Sequence, residues 1–314
     1  MPKGSVRGVL WDANDEFNPA EACGWDFEKI IAFGQSVYDS PEKFGIGITD
    51  GPDDIAFKNY LNHSWPVVKK TLEWRWVFCA GDPAKGSPGW MFVGWDKIQL
   101  PVCTVYDFYA WLLSIAIVPR AAANSRNFYL PLLVCFGNWC FKIAENTSGL
   151  WMHSPFMVSI VRYHSLVEPI VPRAFLGVTM PDSKAFEEDR DRTQYVHAMR
   201  QNDIYRYTSL VPNPRNPDNN QPFGRCAETF FWMFAKNPSV CNLEKSVYGV
   251  ALQIREGEYS LIPVDEYQMG RELNALRDPC RKSCQYLAAQ VKSSWAGDGW
   301  RESFDINLAI DRQW

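Results

Sequence analysis

GRCAETFFWMFAKNPSVCNLEKSVYGVALQIR, residues 224–255, carries a helix start, an apolar helix body and a strand in one run. Ahead of it lies 209–223, SLVPNPRNPDNNQPF, whose four prolines and four asparagines rule out a helix or a central strand. The pattern predicts a helix over 226–235 and a strand over 246–255, where β-branched and apolar residues dominate. Downstream it predicts a strand at 259–264, a helix at 279–292 and a short strand at 304–310. Pro279 suits the first turn of a helix, where its missing N–H removes no hydrogen bond. Strands alternating with helices point to an α/β layered domain.

Outward toward the N-terminus the reading is mixed. Short helices are predicted at 26–35 and 53–62, a strand at 90–100, and a buried helix or helix pair at 106–118 that Pro119 ends. The glycine- and proline-rich stretch 80–89 reads as a turn, without the residue order of a phosphate loop. From 157 to 180 β-branched residues with proline breaks predict two short strands, and 183–207 reads as a charged, solvated helix. The chain therefore divides into 1–170, a mixed α+β region rich in aromatic residues, and 171–314, the α/β domain.

Composition narrows the class. Hydrophobic residues make up 46% of the 314 and charged residues 22%, which excludes disordered and fibrous proteins. The net charge is −4 and the pI is near 5.7, so bulk DNA binding is not expected. A structured RNA such as tRNA, held by a local basic patch, stays open as a partner. Fourteen tryptophans imply a heavily packed aromatic core. The apolar stretches 108–119 and 127–141, the second broken by Pro131, fall short of the roughly 20 residues that span a bilayer. With no apolar leader at the start, no membrane association is expected, and the expected location is cytoplasmic. Nine cysteines, an odd number, argue against a disulfide framework.

Three of those cysteines stand where chemistry is done. Cys226 falls at a helix start, where the macrodipole favours thiolate over thiol. Cys280 and Cys284 follow Pro279 and lie four apart, on one face of a helix. Three thiolates from two helix starts match a tetrahedral zinc with one open position. Glu228, two residues after Cys226, sits beside such a metal without pointing at it. The remaining cysteines, Cys23, Cys79, Cys103, Cys135, Cys140 and Cys241, read as small buried side chains. His63, His153, His164 and His197 have no ligand spacing.

Cys226-Ala227-Glu228, then a strand, then Pro279-Cys280-Arg281-Lys282-Ser283-Cys284 resembles the cytidine-deaminase-like superfamily. Its signature is His or Cys, one residue, Glu, and Pro-Cys-x-x-Cys downstream. Gly224-Arg225-Cys226-Ala227-Glu228-Thr229 is also similar to the deaminase domains of bacterial polymorphic toxins and their fungal relatives. The resemblance covers residues 170–314 and implies a three-layer α/β/α fold. It implies zinc held by Cys226, Cys280 and Cys284, a water acidified by that zinc, and Glu228 carrying the proton to the ring nitrogen and the leaving amine. Arg225, Thr229, Arg281, Lys282 and Ser283 flank the site as candidate substrate contacts. The sequence departs from the signature twice. The second motif has one residue more between its cysteines, and 51 residues separate Glu228 from Cys280, which implies an insertion over 256–277.

The expected substrate is a nucleobase, a nucleoside or another small amidine-bearing metabolite. Two other readings stay open. Cys226 is a candidate nucleophile for acyl transfer, for example an aminoacyl-tRNA-dependent condensation of the cyclodipeptide type. Alternatively the domain is a zinc-stabilised interaction module without catalysis, its tryptophans supplying binding surface.

Overall fold

The computed structural model describes residues 19–47, 52–77, 79, 91–95, 98–116, 129–148, 154–155, 157–165, 173–179, 200–201, 226–229, 231, 245–254, 276–277 and 301–303. They form a mixed α and β structure. The predicted strands at 259–264 and 304–310 and the predicted helix at 279–292 lie outside these residues, as do the stretches 80–89 and 209–223.

After the short helix α1 (Pro19–Cys23), Asp26 caps α2 (Phe27–Asp39), its carboxylate accepting the Lys29 N–H at 2.8 Å. Helix α3 (Pro52–Glu73) runs well past the predicted end at 62 and straight through Pro66. An interior proline costs about 3 kcal/mol. Here Leu61, Trp65, Val68 and Leu72, all fully buried on one helix stripe, hold the two halves in line. The predicted strand at 90–100 is instead a hairpin, β1 (Met91–Trp95) against β2 (Ile98–Val102), with Trp95 opposite Ile98.

Helix α4 (Val105–Ala116) opens with a reciprocal cap. The Asp107 N–H donates to Thr104 Oγ1 at 3.1 Å, and the Thr104 N–H donates to Asp107 Oδ2 at 2.9 Å. The helix is buried on all sides from Val105 to Leu113. Helix α5 (Leu130–Ser148) takes Pro131 as its second residue, so the proline starts the helix instead of breaking the stretch. Trp139 of α5 stacks on Trp25 with ring centroids 5.5 Å apart and meets Tyr109 edge-on at 5.8 Å. The tryptophans described here are therefore largely core, as the composition implied.

A five-stranded sheet follows: β3 (Met157–Ser165), β4 (Arg173–Val178), β5 (Lys245–Gln253), β6 (Leu276–Arg277) and β7 (Arg301–Ser303). Its order is β4-β3-β5-β6, and β7 also pairs with β5. Strand β3 is antiparallel to both neighbours, β6 is antiparallel to β5, and β7 is parallel to β5. Strand β3 precedes residue 171 and pairs with strands that follow it.

Cross-strand pairing sorts the side chains into two faces. Val158, Ile160, Leu176, Val178, Val250 and Leu252 share one face, which receives α5. The helix approaches at Gly137, where a Cβ would come within 3.2 Å of the Leu252 side chain and 3.6 Å of Val158. Ser159, Val161, Phe175, Gly177, Gly249 and Ala251 share the other face, and all are small except Val161 and Phe175.

The β4 edge is closed by side chains. The outward Leu176 N–H donates to Ser114 Oγ of α4 at 2.8 Å. The Val178 carbonyl accepts from Arg200 at 3.3 Å, and the same guanidinium pairs with the Asp107 carboxylate at the α4 cap. Arg200 and Asp107 are 1% and 0% exposed. Two outward backbone groups of this edge strand are thus taken up by side chains.

Candidate functional site

Residues 226–231 lie on the small-residue face. Cys226 is a bend, Ala227 and Glu228 form a turn, and the backbone is helical from Thr229, slightly later than the predicted start. Thr229 closes the turn by donating to the Cys226 carbonyl twice, from its N–H at 3.2 Å and from its hydroxyl at 2.6 Å. Phe231 meets Phe175 of β4 edge-on at 5.7 Å and fixes the start of the helix against the sheet.

The seat of the turn is Gly177. A Cβ built there would overlap the Ala227 carbonyl oxygen, so any other residue would push the turn off β4. The same Cβ would lie 3.4 Å from Ser159 Oγ, which leans across from β3. Ser159 is 1% exposed and its hydroxyl makes no hydrogen bond. An unpaired buried hydroxyl costs about 1–3 kcal/mol, so it is a feature to be explained.

Burial sets the electrostatics. Cys226 is 8% exposed, Glu228 5% and Thr229 2%. A carboxylate and a thiol two residues apart are thus both drawn largely out of water, where a carboxylate is held only with a partner. Such groups are where enzymes keep their acids, bases and metal ligands. Four other described cysteines belong to the core. Burial drives the Cys135 and Cys140 thiols well above their ordinary range, and does the same to Cys79. Those three are protonated core side chains, and Cys23 accepts a hydrogen bond from buried Asn138 at 2.7 Å. The core reading of these four residues fits what is seen.

Of the residues singled out on sequence, Cys226, Glu228 and Thr229 come together in one turn. Arg225, Cys280, Arg281, Lys282, Ser283 and Cys284 lie outside the described residues. Among the described residues no group of three His, Cys, Asp or Glu could hold a metal ion, and no helix is long and apolar enough to cross a membrane. Sequence reasoning missed Gly177, Ser159, and the Arg200–Asp107 pair. The lone glycine in the apolar run Arg173–Val178 was the available signal, since a strand glycine often marks close approach of another backbone.

One cross-strand row runs from this turn to β6. Gly177 pairs with Ser159, Ser159 with Ala251, and Ala251 with Arg277 of β6. The turn stands at one end of the row, and Arg277, three residues ahead of Cys280, stands at the other. No family model, curated protein or solved structure matches the chain.

Proposed function

We propose that the chain is a zinc-dependent deaminase-like hydrolase acting on a nucleobase, a nucleoside or a related small amidine-bearing metabolite. The observation that carries this reading is the buried pair Cys226 and Glu228, held in one turn on a glycine seat and running on through Phe231 into β5. A three-layer α/β/α arrangement is the matching fold, with α5 against one face of the sheet and residues 226–231 against the other.

The strand pairing supports bringing the two motifs together despite 51 intervening residues. Strand β6 returns the chain to the flank of β5 at Arg277 before Pro279 and Cys280 follow. The row from Gly177 to Arg277 spans three strand spacings, about 14 Å at ~4.8 Å each. Cys280 has about 10 Å of chain beyond Arg277. The insertion inferred from the sequence is thus bridged by pairing.

On this reading Cys226, Cys280 and Cys284 hold the metal, a soft thiolate set that suits zinc. Zinc, when bound, supplies a water acidic enough to react near neutral pH. Glu228 would take a proton from the attacking water and give it to the ring nitrogen, then move the remaining proton of the added hydroxyl to the amine, which leaves as ammonia. The buried surroundings of Glu228 keep bulk water from competing for that proton. Arg225, Thr229, Arg281, Lys282 and Ser283 are candidate substrate contacts on the same reading, and a small, flat substrate accords with the net charge of −4.

The test is ammonia release from a panel of cytidine, adenosine and guanine compounds. One member should turn over, and Glu228→Ala should lose at least 1,000-fold, on the order of what a buried acid/base contributes. Undiminished turnover in that variant would remove Glu228 from the chemistry.

A further inference from the structure

Resting on the reading above, we infer that Ser159 is a positioning residue for Glu228, its hydroxyl moving into reach of the Ala227 carbonyl and donating to it in the folded protein, with or without metal or substrate. The Ala227 oxygen occupies the hollow that the missing side chain of Gly177 leaves, and Ser159 Oγ borders it at 3.4 Å from where a Cβ would stand. One is a carbonyl acceptor, and the other belongs to a hydroxyl without a partner, 1% exposed and free only to rotate. No structural gain offsets that hydroxyl, because alanine would fill the same space without an unpaired polar group.

The identity of the carbonyl gives the inference its content. The Ala227 carbonyl belongs to the peptide unit that joins Ala227 to Glu228. Fixing its plane fixes the backbone from which the Glu228 carboxylate projects. The preceding carbonyl, that of Cys226, is already held twice by Thr229, at 3.2 and 2.6 Å. Thr229 from within the turn and Ser159 from the sheet then hold both successive peptide planes. Positioning of this kind matters because a misplacement of about 1 Å costs a reacting group on the order of 100-fold in rate.

Hydrogen exchange on the full chain tests this, comparing wild type, Ser159→Ala and Ser159→Thr, each with and without added zinc chloride. Peptides over 226–231 should exchange about fivefold faster in Ser159→Ala, the loss of one neutral hydrogen bond. Peptides of α5 should not change, and Ser159→Thr, which restores the hydroxyl, should recover the slow rate. Equal exchange over 226–231 in wild type and Ser159→Ala, or a threonine variant that behaves like alanine, would overturn the inference. Slowed exchange over 226–231 and 279–292 on adding zinc to wild type belongs to the deaminase reading. Its absence would sink that reading and leave the Ser159 comparison standing. With a substrate from the ammonia panel, Ser159→Ala should lower kcat about tenfold at unchanged KM; a change confined to KM would count against a positioning role.

Discussion

The two faces of the five-stranded sheet are built from the same three long strands and do opposite work. The face under α5 carries Val158, Ile160, Leu176, Val178, Val250 and Leu252, and a helix lies on it through side-chain packing. The face under residues 226–231 carries Ser159, Gly177, Gly249 and Ala251, and backbone sits directly on backbone there. Large apolar residues give area and stability. Small ones give up that area so that a turn bearing a thiol and a carboxylate can be held at a fixed height. The first face is a core and the second is a platform.

The edge of β4 joins the two, and breaking it should have the largest effect. Arg200→Met leaves the Asp107 carboxylate buried without its cation and should lower unfolding free energy by about 3–5 kcal/mol. Arg200→Met with Asp107→Leu should lose less than the sum of the two single variants, measured by denaturant titration, because the stranded charge is gone. Additive losses would mean that the pair is not a unit.

Next in size, the two glycines separate the faces. Gly177→Ala drives a Cβ into the Ala227 carbonyl and should cost about 2–3 kcal/mol by overpacking, with loss of the 226–231 turn. Gly137→Ala meets the flexible end of Leu252 at 3.2 Å, with Val158 at an ordinary 3.6 Å, and gains helix propensity, so its net change should stay within about 1 kcal/mol. Equal costs at the two positions would erase the distinction between core and platform.

A smaller effect should appear with pH. Cys135 and Cys140 on α5, together with Cys79, keep their protons in the folded chain well above the ordinary thiol value of 9.0, chiefly through burial. The unfolded chain releases those protons near that value. Their contribution is therefore complete below it and declines as pH rises past it. Urea midpoints should hold level from neutral pH to about 8 and fall above about 9. A midpoint that rises across this range would contradict burial of these thiols.

Much of the scaffold was legible where local pattern and tertiary packing agree. The cap at Asp26, the β-branched strands β3 and β5, and the helix ending before Pro119 follow from residue types in sequence. Packing overrode local rules elsewhere. Pro66 reads as a breaker, yet the buried stripe of α3 carries the helix through it. Pro131 reads as an interruption, yet it falls in the one turn where proline is free of cost. Trp95-Asp96-Lys97-Ile98 lacks a glycine or asparagine turn signal, so the hairpin read as one strand. At the site, Cys226, Glu228 and Thr229 were legible because they are contiguous. Gly177 and Ser159 were not, because what unites them with the turn is cross-strand register, and register is set by the whole sheet.

The most direct test of the central claim is the zinc content of protein purified without chelators, measured by elemental mass spectrometry beside a Cys280→Ser/Cys284→Ser double variant. The deaminase reading expects about one zinc per chain in wild type and none in the variant, which has lost two of its three thiolate ligands. Wild type without zinc, or a double variant that keeps it, would contradict that reading.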